Sequence, residues 1–193
     1  ISTAKGSGNI NITSAVTLSG SGSEVQGAAA ALNTIDGSTA ASVTGTDYTV
    51  AQLKAINDKI GGTITLATST AVGLTGSAGD LVDALDGNFT SAHNGEVKVT
   101  GTYNVTQLKS INAGTAGALH LDDRTVGLSG TAANVKAALA GTFTTNKTHT
   151  GVVTLTDTST VTATDLTDIS TAKGSGNINI TSAVTLSGSG SEV

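Results

Sequence analysis

The sequence predicts an α/β chain wound as a right-handed solenoid, with about six strand-helix coils per 168-residue period, parallel strands, and both ends open. Three observations predict it. Residues 1–25, ISTAKGSGNINITSAVTLSGSGSEV, recur letter for letter at 169–193, an offset of 168. The tripeptide L-[ST]-G recurs at Leu18, Leu74, Leu128 and Leu186, with gaps of 56, 54 and 58. Two helix patterns alternate along the period, separated by short runs with the two-residue alternation of a strand. A closed α/β domain offers no equivalent places to two identical 25-residue segments, whereas an open array does.

The first helix type follows L-[ST]-G. A hydroxyl stands three residues after each leucine (Ser21, Ser77, Thr131), then Glu24, Asp80 or Asn134, then Val25, Leu81 or Val135. A hydroxyl followed three residues later by a polar acceptor, then an apolar residue, is a helix-start signature. It predicts short helices through 28–32, 80–85 and 134–139. The second type reads TVAQLKAIN (49–57), NVTQLKSIN (104–112) and TATDLTDIS (162–170). Its caps are Thr49, Asn104 and Thr162, and its apolar stripes are Val50/Leu53/Ile56, Val105/Leu108/Ile111 and Ala163/Leu166/Ile169.

Between the helices, NINIT (9–13), ASVTG (41–45), TITLA (63–67), EVKVT (96–100), ALHLD (118–122) and VVTLT (152–156) alternate apolar with polar residues. They predict an inner wall of Ile10, Ile12, Ile64, Leu66, Val97, Val99, Leu119, Leu121, Val153 and Leu155. Leu53, Leu108 and Leu166 would pack the helices onto it, and Phe89 and Phe143 would close equivalent ends. A second extended piece follows several strands, as at 15–18 and 125–128. Stacking strand on strand, Ile12 to Val43 to Leu66 to Val99, gives alternating long and short steps. The extra residues fall in 88–95 and 142–151, expected as loops projecting along one edge. The period thus divides into three two-coil units, near 1–56, 57–112 and 113–168, and 169–193 begins the next period.

Composition narrows the function classes. Aromatic residues are 2% and charged residues 12%, with no Pro, Cys, Met or Trp, so the core must be thin and extended. A net charge of −5 without basic runs argues against nucleic acid as a partner. No apolar run is long enough to span a bilayer. The absence of cysteine excludes disulfides and thiolate metal sites. With no secretory leader and no initiating Met, the chain reads as an internal piece of something larger.

No residue set predicts an enzyme, a cofactor or a metal site. His93 and His149 are equivalent, 56 residues apart, and too distant to share an ion; His120 alternates with Leu119 and Leu121. All three are expected at the surface. Asp80, Asp83 and Asp86, with Asp122 and Asp123, are the acidic clusters; calcium would suit them, but neither the EF-hand loop nor the G-G-x-G-x-D nonapeptide occurs. Asp80 reads better as a helix-start residue. The Gly-Ser-Gly triplets lack the G-K-[ST] of a phosphate loop. Sequons at Asn11, Asn88, Asn104, Asn146 and Asn179 are expected by chance in so Thr-rich a chain.

TVAQLKAINDKIGGTITL (49–66) and GLTGSAGDLVDALDG (73–87) resemble the tandem repeats of giant secreted surface and filament proteins of bacteria, cyanobacteria especially. The resemblance spans essentially the whole chain. It implies an extracellular, cell-surface location, a filamentous or adhesive role and no enzymatic activity. The leading expectation is a structural repeat of an extracellular filament whose partners are neighbouring copies of the same repeat. The alternative is a stalk or binding module of a large adhesin that meets glycans or cell surfaces. A third is an ice-binding, Thr-rich solenoid, against which the outward positions Asn11, Thr65, Lys98, His120 and Thr154 are irregular.

Overall fold

Helices begin where a side chain can satisfy the free amides of a first turn. The structure is a computed structural model and describes residues 9–67 and 72–189. The Gly-Ser-Gly at 6–8 and the outermost residues of both 25-residue copies lie outside the described residues. In chain order the elements are β1 (Thr17–Gly20), α1 (Gly22–Ala31), β2 (Ala40–Val43), α2 (Val50–Asn57), β3 (Ile64–Leu66), β4 (Leu74–Ser77), α3 (Ala78–Leu85), β5 (Val97–Thr100) and α4 (Val105–Gly114). There follow β6 (Leu119–Leu121), β7 (Leu128–Gly130), α5 (Ala132–Leu139), β8 (Val153–Leu155), β9 (Thr160–Thr162), α6 (Ala163–Ala172), β10 (Ile178–Ile180) and β11 (Thr185–Ser187).

All six helices start on the residues expected. Ser21, Ser77 and Thr131 cap α1, α3 and α5; Thr49, Asn104 and Thr162 cap α2, α4 and α6. Each cap side chain accepts from the amide three residues on, and at Ser21, Thr49 and Asn104 the third residue reciprocates as a capping box. The helices are only eight to ten residues long, too short to persist alone in water. Tertiary packing holds them, and each packs on the next, from α1 on α2 through α5 on α6. Among the described residues no helix is long and apolar enough to cross a membrane.

The strands are short and every pair is parallel. They form three three-stranded sheets, β1-β2-β3, β4-β5-β6 and β7-β8-β10, with a two-stranded sheet β9-β11. Here one expectation is overturned. Of the expected column, Val43 does lie opposite Leu66, but the long steps fail: Val43 takes Gly20 and not Ile12 on its other side, and Val99 lies opposite Gly76 and not Leu66. The second extended piece, carrying L-[ST]-G, is the true neighbour of the following strand. Paired residues are consequently 22 to 25 apart throughout, as in Val97 opposite Leu119 and Leu128 opposite Val153. Even spacing wins because each strand takes the neighbour it can reach around a single helix. In alternate units a first strand ends one sheet (β3, β6) and a second begins the next (β4, β7), so the sheets are separate there.

One continuous apolar cluster runs between the strands and the helices. Leu53, Ile56, Ile64, Leu74, Leu81, Leu108, Ile111, Leu119, Leu121, Leu128, Leu139 and Leu155 are fully buried. Of the expected inner wall, Ile64, Leu66, Val97, Val99, Leu119, Leu121, Val153 and Leu155 are buried, whereas Ile10 and Ile12 are half-buried. Leu166 is half-buried as well, although its counterparts Leu53 and Leu108 have no exposure.

Candidate functional site

The most specific polar arrangement is a pair that occurs twice. Tyr48 directly precedes the cap of α2 and Tyr103 directly precedes the cap of α4, which turns both side chains inward. Tyr48 Oη lies 3.4 Å from His93 Nδ1 and Tyr103 Oη lies 3.2 Å from His149 Nδ1. The rings meet edge to face, with centroids 6.1 and 6.3 Å apart. His93 is 1% exposed and His149 0%. The surface placement expected of these histidines is therefore corrected. An imidazole two residues before a turn glycine points into the core because a tyrosine from two strands back has left a hydrogen-bonding partner there.

Burial sets the chemistry of both pairs. Desolvation disfavours imidazolium, so the His93 pKa is lowered and that of His149 falls to about 4, with the nearby Lys173 ammonium adding to the effect. The same desolvation raises Tyr48 to about 12 and pushes Tyr103 up as well. Both pairs are neutral at physiological pH. Asp123 and Arg124 act on the Tyr103 hydroxyl in opposite senses, and the backbone at Val72 and Gly151 hydrogen-bonds His93 and His149. The chemistry fits a packing role: a polar contact that fixes one arrangement of neighbouring units.

The segments 88–95 and 142–151 are also corrected. They were expected to project, yet Phe89 and Phe143 are half-buried against the core and add a single parallel rung each, opposite Ile64 and Leu119. Ile64 N donates to Asn88 O at 2.8 Å and Thr90 N to Ile64 O at 2.9 Å; the bonds from Leu119 N to Thr142 O and Thr144 N to Leu119 O repeat them.

Of the acidic clusters, Asp80, Asp83, Asp122 and Asp123 are committed to other partners. Lys54 on α2 bridges Asp80 at 3.6 Å and Asp83 at 2.5 Å on α3. Lys136 on α5 bridges Asp165 at 3.1 Å and Asp168 at 2.6 Å on α6. Asp122 meets Lys98 at 3.1 Å, and Asp123 closes a turn onto Thr125. His120 is partly covered, contrary to its expected exposure: its side chain is 17% exposed, with Nδ1 3.6 Å from Glu96 and Nε2 3.9 Å from Asp122. Among the described residues, no three of His, Asp or Glu gather as metal ligands would. Asn104, one of the sequon asparagines, spends its side chain on the α4 cap.

Sequence reasoning missed Tyr48 and Tyr103. The signal was present, since they are the only two tyrosines and stand 55 residues apart, close to the 56 that separates His93 from His149. It missed, too, a column of amides between helices: Asn57 Nδ2 donates to Asp83 O on the next helix, and Asn112 Nδ2 to Ala137 O, each at 2.9 Å.

Beside α6, Ala163, Leu166, Thr167, Ser170 and Thr171 form with Ile178, Ile180 and Leu186 an open groove. Compared with known proteins, the chain matches no family model, no curated protein and no solved structure.

Proposed function

We propose that this chain is a non-enzymatic structural repeat of an extracellular filament, wound as a right-handed α/β solenoid that continues from period to period. The observation that carries the reading is the recurrence of whole environments. Tyr48 with His93 and Tyr103 with His149, Phe89 on Ile64 and Phe143 on Leu119, and Asn57 and Asn112 each reaching the next helix are the same contacts made one two-unit step apart. Each helix packs on its successor, and parallel strands repeat every 22 to 25 residues. A chain whose contacts reach no further than two units and recur periodically behaves as a one-dimensional array, whose stability adds up along its axis. Load along that axis would be carried by successive parallel strand pairs, with the helix ladder alongside.

The extracellular assignment rests on the resemblance of 49–66 and 73–87 to secreted surface repeats and on the cysteine-free, weakly charged composition. The adhesin alternative loses support, because the segments it would use for contact, 88–95 and 142–151, give their imidazole and phenyl groups to the core. Electron microscopy of native material tests the filament reading. Six units at about 4.8 Å between strands give a rise of about 29 Å per period. A fibre with that repeat is the expected result, and compact particles would refute it.

A further inference from the structure

Strand pairing is interrupted between β3 and β4 and again between β6 and β7. One chain segment crosses each interruption. At the first, Phe89 stands opposite Ile64 on one sheet, and Val97 stands opposite Leu74 on the next. At the second, Phe143 stands opposite Leu119, and Val153 opposite Leu128. Between the two anchors of each segment lies the imidazole that meets a tyrosine, His93 in one and His149 in the other. The tyrosine comes from the far side of the break: Tyr48 follows β2, and Tyr103 follows β5. Both breaks are thus straddled by a Tyr–His pair.

The helices show no matching interruption. α2 packs on α3 beside the first break, and α4 packs on α5 beside the second. The wall of strands is divided where the wall of helices is not.

We propose that the two breaks are joints in the strand wall, held closed by the Tyr–His pairs and opened by protonation of the imidazole while the helices stay packed. This goes beyond the filament reading and does not depend on it. A protonated imidazole has donors only, so the tyrosine can no longer donate to it. A buried cation also favours any state in which water reaches it. Opening takes up one proton, so the open population should rise about tenfold per pH unit below the unfolded histidine value, until the closed joint is itself protonated.

The two joints differ in their surroundings. The eleventh residue after the caps of α2, α4 and α6 is buried each time, as Ile60, Thr115 and Lys173. Thr115 Oγ1 donates to His93 O at 2.8 Å, and Gly174 N, next to Lys173, donates to His149 O at 2.8 Å. The groups that meet the His93 ring are Tyr48 and the backbone at Val72, and burial lowers its pKa. Around His149 stand Tyr103 and the Lys173 ammonium, with Asp123 and Arg124 of the β6–β7 turn acting on Tyr103. Asp123 already accepts from Thr125, and Arg124 Nε donates to Thr148 O at 2.8 Å. Lys173 therefore sets a second cation beside His149 that His93 lacks. The second joint should keep gaining open population down to about pH 4, after the first has levelled off.

The chain has no cysteine, so spin labels on engineered thiols report each joint. Ser19, Thr75 and Ser129 are exposed, one on each three-stranded sheet. Pulsed dipolar spectroscopy on the full chain measures S19C/T75C across the first break and T75C/S129C across the second, from pH 7 to pH 4. The expected result is a new longer-distance population in both pairs, larger in T75C/S129C at pH 4.5, while helical circular dichroism holds. Y103F/H149F should abolish that population in the second pair, and Y48F/H93F in the first. K173M, which sets an apolar side chain where an earlier unit has Ile60, should reduce the second pair to the level of the first. Circular dichroism at pH 7 checks that each variant is folded. Unchanged distances across the whole range, or broadening that survives the paired Phe variants, would overturn the joints. Broadening that appears only in step with loss of helix would overturn them as well, in favour of global unfolding.

Discussion

Tyr48 and His93 meet in the core 45 residues apart in sequence, and Tyr103 and His149 repeat the contact 46 residues apart. These contacts join units that are not sequence neighbours, and they make the stability of the fold depend on pH.

Acid should loosen the fold. The unfolded chain protonates its histidines near pH 6.5, while folded His149 stays neutral down to about 4. Between those values the unfolded state binds more protons, so stability falls as pH falls. The contribution is fully present above pH 6.5 and is lost by about pH 4, roughly 3 kcal/mol at 1.36 kcal/mol per unit. His93, lowered by the same desolvation, adds in the same direction. Urea melts at pH 7 and pH 4.5 measure the loss, and the double variant Y103F/H149F should show a shallower pH slope than the parent.

Removing one hydroxyl at neutral pH isolates the hydrogen bond. Tyr103→Phe leaves the ring in place and strands His149 Nδ1 in a buried site. The expected cost is about 1–3 kcal/mol, read from the urea midpoint at unchanged slope. A change below about 0.5 kcal/mol would mean that the contact is incidental.

The core is thin, so each leucine in it matters. Leu108 has no exposure and lies on the buried face of α4, between α3 and α5. Leu108→Ala should cost about 2–5 kcal/mol by chemical denaturation. By contrast, Lys54→Ala on the exposed ladder should cost less than about 1 kcal/mol, because its ion pairs with Asp80 and Asp83 are largely solvated.

The glycines at 95 and 117 are a steric requirement of stacked turns. A Cβ on Gly95 would lie 1.8 Å from Val72 O, and one on Gly117 would lie 1.9 Å from Gly95 O. Backbone packs directly on backbone there. Gly117→Ala should therefore destabilise by more than the roughly 1 kcal/mol of an ordinary loop substitution, visible as a lower Tm. Gly27→Ala in α1, where nothing lies within 4 Å, should leave Tm unchanged or raise it.

Local signals were legible in the sequence. A cap is a short-range event, settled between Thr49 and Gln52 or Ser21 and Glu24, and the three-residue spacing of Val50, Leu53 and Ile56 needs only a helix to define a face. The candidate site was half legible. The equivalence of His93 and His149 could be read from their spacing, but their burial could not, because it depends on tyrosines two units earlier in the chain.

By itself, the sequence determined the six helix starts among the described residues and the alternating faces of the strands, since each follows from residues within a few positions of one another. Only the tertiary structure decided which strands are partners. NINIT at 9–13 and TLSG at 17–20 are both short extended runs, so either could have paired with β2, and it is 17–20 that does. Pairing is a competition for one row of amides and carbonyls. It was resolved by how far the chain travels around one helix, which is a property of the assembled units and not of any segment within them.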